Sequence, residues 1–279
     1  MKTIDKDVLA GYNSGIERGR LHTDLGLIEF ERTREILQET LPPPPAVIYD
    51  IGGAYGEYSF WLASLGYEVY LYDISEQHIE MAKEMSGEYS SNLKAMEVAD
   101  ARSINRPDAS ADAVLLFGPL YHIVDYGERQ LALKECRRLL KPGGLLYSAA
   151  ITRYATTLWA MTTYGTKHHL IDELAFYDMI EHEINTGQHI KNPSSSYSGM
   201  GRSYFHLPEE LKAEIEAAGF IGTDVRGVIG PAWLVPDLDD VWKDEAKRES
   251  IMRVVRMCEK EESIMGLSTH LLAISGKEA

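Results

Sequence analysis

The chain has 279 residues, 44% apolar and 25% charged, with a net charge of −15 from 28 basic and 43 acidic residues. This is the composition of a globular protein long enough to bury a core without staples. Its acidity, with no clustered run of Lys and Arg, argues against nucleic acid and anionic membranes as partners.

The opening MKTIDKDVLAGYNSG has no apolar h-region. No apolar run reaches the ~18 residues of a membrane helix, so a cytoplasmic protein is expected. Residues 5–40 read as mostly helical behind a glycine-broken start, and Pro42 to Pro45 form a stiff spacer. From residue 46 strands and helices alternate. AVIYDI (46–51) is a strand apolar on both faces, followed by a helix from Glu57 to Leu65 that Gly66 ends. YEVYLYD (67–73) is the second strand, and Ser75 caps a helix over 76–87. LKAMEVA (93–99) and ADAVLLF (111–117) are the third and fourth strands. A helix from Asp125 to Leu140 stops at Lys141-Pro142-Gly143-Gly144, and LLYSAAI (145–151) is the fifth strand. Residues 152–205, rich in Tyr and His with no clear strand, read as an insertion. The rhythm then resumes with a helix over Pro208–Ala218 closed by Gly219, a strand over 220–230, a long amphipathic helix over Asp239–Ile264 and a last strand over 268–276. The stripe Trp242, Ile251, Val254 and Val255 reads as the core face of that helix. Alternation of this kind predicts an α/β, doubly wound, mainly parallel sheet. The organisation expected is an N-terminal helical lid (1–45), a nucleoside-binding core (46–151), a substrate lid (152–205) and the remainder of the core (206–279). That insertion equally suits the surface of a homodimer.

Chemistry concentrates in two places. Asp50-Ile51-Gly52-Gly53-Ala54-Tyr55-Gly56 follows the first strand and precedes a helix. Glycines there permit a tight turn and close approach of a ligand to the backbone, or simply make the turn. Asp73 ends the second strand 21 residues beyond Gly52, the spacing at which a carboxylate reaches ribose hydroxyls, although it could also cap the helix at Ser75. The dinucleotide pattern G-x-G-x-x-G fails at Ala54 and Glu57, and no Walker loop is present. The adjacent His168 and His169 point apart on a helix, and Cys136 and Cys258 lack zinc spacing, so no metal is expected.

These stretches resemble the class I S-adenosylmethionine-dependent methyltransferases of small-molecule type. Residues 50–56 are similar to the family's first motif, with Ala54 in place of its middle glycine. Ala99-Asp100-Ala101 and Leu139-Leu140-Lys141-Pro142-Gly143-Gly144 resemble the motifs after the third strand and before the fifth. Gly118-Pro119-Leu120-Tyr121-His122, Thr152-Arg153-Tyr154-Ala155, Gln188-His189 and Tyr204-Phe205-His206 resemble an incompletely described bacterial subfamily. The resemblance implies a Rossmann-like seven-stranded sheet of order 3-2-1-4-5-7-6, its last strand antiparallel. It also implies S-adenosylmethionine as cofactor and S-adenosylhomocysteine as product. Asp50, Gly52, Gly53 and Gly56 would line the methionine end, and Asp73, with Ile74 beside it, would bind the ribose. Asp100 and Ala101 would face the adenine, with Phe117, Gly118 and Tyr121 near the transferring methyl.

The implied activity is in-line methyl transfer to an oxygen or nitrogen of a small molecule, which asks the protein for alignment, exclusion of water and a nearby base. His122, directly after the fourth strand, is the first candidate base, ahead of His206 and His189. Tyr154, Tyr12 and Arg20 are candidate substrate contacts. The rival readings are a methyltransferase acting on tRNA or another nucleic acid, and a non-catalytic S-adenosylmethionine-binding module.

Overall fold

The computed structural model describes residues 19–88 and 93–279. Helix α1 (Leu25–Thr40) precedes the first strand. The apolar runs then form strands where the pattern predicts them: β1 (Val47–Ile51), β2 (Glu68–Asp73), β3 (Ala95–Val98), β4 (Ala111–Leu116) and β5 (Leu140–Ile151). Between them lie helices α2 (Glu57–Ser64), α3 (Glu76–Met85), the single turn α4 (Pro119–His122) and α5 (Tyr126–Leu139). All pairings among the first five strands are parallel, with Ile48 opposite Val69 on one side and Ala113 on the other. Ile48, Leu71, Val114, Leu115 and Leu146 are fully buried, as strands covered on both faces require.

The chain continues through α6 (Ala155–Thr163), α7 (Leu174–Thr186), β6 (Gln188–Ile190), β7 (Arg202–Tyr204), α8 (Pro208–Ala217), β8 (Ile221–Gly227), α9 (Leu238–Trp242), α10 (Glu245–Cys258) and β9 (His270–Gly276). The large sheet has the order β3-β2-β1-β4-β5-β9-β8, the 3-2-1-4-5-7-6 order once the separate β6–β7 pair is set aside. β9 runs against β5, since Gly143 N donates to Lys277 O at one end and Thr152 N to Thr269 O at the other. It also runs against β8, where Val228 N donates to His270 O and Ser275 Oγ to Thr223 Oγ1.

The described residues divide into two compact units, one drawn from 37–149, Leu211–Asp224 and Ala273–Ala279, the other from 19–36, Ala150–Glu210 and Val225–Leu272. In the first, the buried Arg129 of α5 holds Glu214 of α8 with two bonds of 2.7 and 3.0 Å and donates to the carbonyls of Ile123 and Val124. In the second, Arg32 of α1 holds Glu259 at 2.6 Å while Arg256 of α10 holds Glu35. A further apolar cluster of Ala160, Leu170, Phe176, Met179, Ile180 and Tyr197 forms the core of the 152–205 segment.

Three expectations are corrected. The 152–205 segment does contain strands: β6 and β7 pair antiparallel, three residues each, too short to register as alternation. The helix expected over 239–264 is broken, because Asp244 caps α10 by accepting from Ala246 N and Lys247 N, and α10 ends at Cys258. Its core face is Met252 and Val255, whereas Val254 is 48% exposed. Finally, Lys141-Pro142-Gly143-Gly144 lies within β5, where the register against β4 shifts between Ala111 and Ala113. An irregularity there is how a strand accommodates proline and glycine.

Removing one partner of a buried ion pair strands the other without water. Glu214→Ala is expected to destabilise the protein by about 3–5 kcal/mol, read as a lower urea midpoint at unchanged slope.

Candidate active site

The strand order reverses between β1 and β4, and in open sheets of this kind ligands bind at the carboxyl ends of the strands beside that point. Both strands end there in glycines with positive φ, Gly52 at 79° and Gly118 at 124°. A methyl group on Gly52 would lie 2.5 Å from Pro119 Cδ, and one on Gly118 would lie 3.4 Å from Gly52 O. The backbone at Gly52 therefore packs directly against the Pro119 ring. Gly53 has a different reason: its added Cβ would lie 2.5 Å from the Asp50 carboxylate and 2.6 Å from Leu71. Gly56 at φ 91° begins α2 over Leu71 and Phe60. Ala54, which stands where the resembling family has glycine, is held at φ 51°. A side-chain-bearing residue in that left-handed region carries strain of about 1–2 kcal/mol.

Two carboxylates flank this floor. Asp73 ends β2 and is 4% exposed. Its Oδ2 accepts from Ala54 N at 2.9 Å, and its Oδ1 accepts from Ser75 N at 2.8 Å and faces His78 Nδ1 at 3.2 Å. Asp73 thus ties the glycine loop to the start of α3, whose cap is Ser75 Oγ accepting from His78 N. A carboxylate offers about four acceptor positions, so room for a ligand donor remains. Asp50, on β1, accepts from Ser59 Oγ at 2.6 Å, and its Oδ1 has no hydrogen-bond partner among the described residues. Burial pushes its carboxyl up to about 7, against the Ser59 bond and with the Asp73 charge adding to the rise.

Asp100 follows β3 and is gripped on both oxygens by Arg102, which also holds Glu128. Burial raises the Asp100 carboxyl, but the Arg102 bonds outweigh it and hold it below the usual range. Its expected adenine-facing role must therefore be shared with this ion pair. Ala101 is buried beside it, while Ile74 is half-buried after Asp73. Phe117 packs edge-on to Tyr58 with ring centroids 5.2 Å apart. Tyr121 and His122 close α4 over this strand end, their rings 4.5 Å apart and both half-buried.

The other candidate bases sit differently. His189 is fully buried, with Nδ1 2.6 Å from Glu183 Oε2 and Nε2 2.9 Å from Met200 O, and it stacks on Phe205. Both ring nitrogens are engaged by the protein, so its place is in the core of the 152–205 segment and not before a substrate. His206 is also fully buried, its backbone bonded to Ile151 O and Arg153 N. Of the three histidines only His122 is accessible. Arg20 is bonded to Glu29 at 2.6 and 3.0 Å. Burial raises the Glu29 carboxyl, but Arg20 and His270 bring it down to about 2, so Arg20 is committed to that pair and not free for a substrate anion. Tyr154 is 37% exposed just after β5. Tyr12 lies outside the described residues. Two members of the site were not anticipated: Ser59 and His78 are ordinary helix residues in the sequence, and only the fold shows that they grip Asp50 and Asp73.

Comparison with known proteins agrees with this geometry. Residues 49–148 match the methyltransferase domain family. The chain is 29% identical over 121 residues to a ubiquinone biosynthesis O-methyltransferase of Caulobacter vibrioides, aligning 43% of this chain with 46% of that protein. It is 30% identical over 160 residues to a demethylmenaquinone methyltransferase of Staphylococcus aureus, 57% of this chain and 59% of that one. The chain thus spans about half the length of the curated relatives it matches. Among solved structures, an S-adenosylmethionine-dependent methyltransferase from Methanosarcina mazei superimposes with a TM-score of 0.57 at 21% identity, over 87% of this chain and 97% of that one. The family match covers residues 49–148, and the sheet around them shares the fold of that solved structure.

Two outcomes follow from the loop. Ala54→Gly relieves the left-handed strain at some entropic cost, and a gain of up to about 1 kcal/mol is expected in thermal unfolding. Asp50 has a folded-state pKa near 7 against an ordinary 3.8. Its contribution to stability is therefore full below about pH 4 and is lost as pH rises through about 7. Asp50→Asn, which cannot ionise, should gain stability relative to the wild type between pH 4 and about 8 and show no further gain above, as followed by urea midpoints.

Proposed function

We propose that the protein transfers the methyl group of S-adenosylmethionine to an oxygen or nitrogen of a small organic molecule. The observation that carries this reading is the convergence, at the β1–β4 reversal, of a side-chain-free floor with two buried carboxylates that retain acceptor capacity, Asp50 Oδ1 and Asp73. That donor-poor, acceptor-rich lining fits a ligand with ribose hydroxyls and an ammonium group. When bound, the cofactor supplies a methyl on a sulfonium, whose leaving group needs no proton.

What the chain itself provides is placement and proton removal. Gly52, Gly53 and Gly56 let the methionine end approach the backbone, and Asp73 accepts from the ribose. Asp100, with Ala101, borders the adenine. Phe117, Gly118 and Tyr121 border the reacting end. His122, at the close of α4, takes the proton of the acceptor group as the new bond to carbon forms. The relatives' names point to quinone-type acceptors, and the net charge of −15 disfavours a polyanionic one.

Calorimetric titration with S-adenosylhomocysteine, with NAD as control, is the first test. Saturable binding of the nucleoside product that Asp73→Ala abolishes supports the reading; tighter binding of NAD overturns it. Labelled methyl transfer to a phenolic quinol then separates an enzyme from a binding module. His122→Ala should lower kcat about 10²–10⁴-fold without weakening S-adenosylhomocysteine.

A further inference from the structure

His78 stands on the first turn of α3, 3% exposed, with Nδ1 3.2 Å from Asp73 Oδ1. An ionised carboxylate can only accept, so Nδ1 carries the proton and donates. The other two donors on Asp73 are the backbone amides of Ala54 and Ser75, which no side-chain substitution removes. Among the described residues, His78 is thus the single side chain that bonds Asp73. It shares Oδ1 with Ser75, which leaves Oδ2, bonded among the described residues by Ala54 N alone, as the oxygen with spare capacity. Without the His78 bond each oxygen keeps one backbone donor, and the orientation of the carboxylate is held less tightly.

We propose that His78 is a positioning residue for nucleoside binding, fixing the Asp73 carboxylate so that Oδ2 is presented to the ribose of the cofactor. The proposal rests on the methyltransferase reading above. Charge-assisted hydrogen bonds are about twice as strong as neutral ones and directional, so their loss is felt by whatever the oriented group binds. Residues that orient a ligand-binding group from behind typically cost tenfold or more in affinity when removed, as is measured for the partners of metal-ligating side chains.

The experiment compares His78→Leu, His78→Asn and wild type by calorimetric titration with S-adenosylhomocysteine, with thermal unfolding followed in parallel. The side-chain amide of Asn places a donor near the position of Nδ1, and Leu places none. A Kd raised about tenfold in H78L, with H78N within about threefold of wild type, is the expected result. Equal affinity in H78L and wild type overturns the proposal while leaving the methyltransferase reading intact. So does H78N weakened as much as H78L, since that pattern reports lost packing. If H78L does not fold, His78→Gln replaces it, because its amide nitrogen overlays Nε2 and not Nδ1; the same tenfold loss is then expected, and wild-type affinity in H78Q overturns the proposal. Failure of the wild type to bind S-adenosylhomocysteine overturns both readings together.

Discussion

The site depends on one constraint: where the sheet changes direction, the ends of β1 and β4 turn so close together that Gly52 has no room for a side chain. Gly52 and Gly118 both adopt positive φ there, and an added methyl on Gly52 would clash with Pro119 of the other turn. The parallel registers of β1 with β2 and β4 set the two turns side by side, and the buried Ile48, Leu71 and Val114 keep those registers in place. A floor of exposed backbone is what a nucleoside-binding loop needs, and here sheet packing produces it.

Around that floor the energetics run against simple burial. Asp50 and Asp73 are adjacent carboxylates, almost wholly removed from water, at the ends of neighbouring strands. The protein handles them in two ways. Asp73 is given three donors from the glycine loop and α3. Asp50 receives only Ser59 and is pushed toward its neutral form. Like charges so placed are best accommodated when one is protonated. The unequal treatment leaves Asp50 as the acid pushed toward its neutral form, and a cationic ligand would favour its ionisation.

Elsewhere the polar groups hold architecture. His189 and Glu183 form a fully buried pair that Thr156 and the Met200 carbonyl complete. In sequence, a histidine in a Tyr- and His-rich insertion looks as available as one at a strand end. Burial decides between them: His189 is enclosed by the hairpin β6–β7 and the aromatic rings of Phe205 and Tyr197, whereas His122 closes a half-buried single turn. Arg20 is similar, for its charge suggests a substrate anion until Glu29 is seen beside it.

The local pattern of the chain was enough to place the five parallel strands, the glycine turn, Asp73 and the cap at Ser75, because strand burial, glycine torsions and helix capping are properties of a few consecutive residues. The order of the sheet followed from the resemblance that those motifs carry. Tertiary structure alone decided which candidates share a site. Ser59 and His78 reach Asp50 and Asp73 because α2 and α3 pack against β2, and no spacing rule records that. It likewise broke the long C-terminal helix at Asp244 and drew three-residue strands out of an insertion, since such short elements exist only through the partners they pair with.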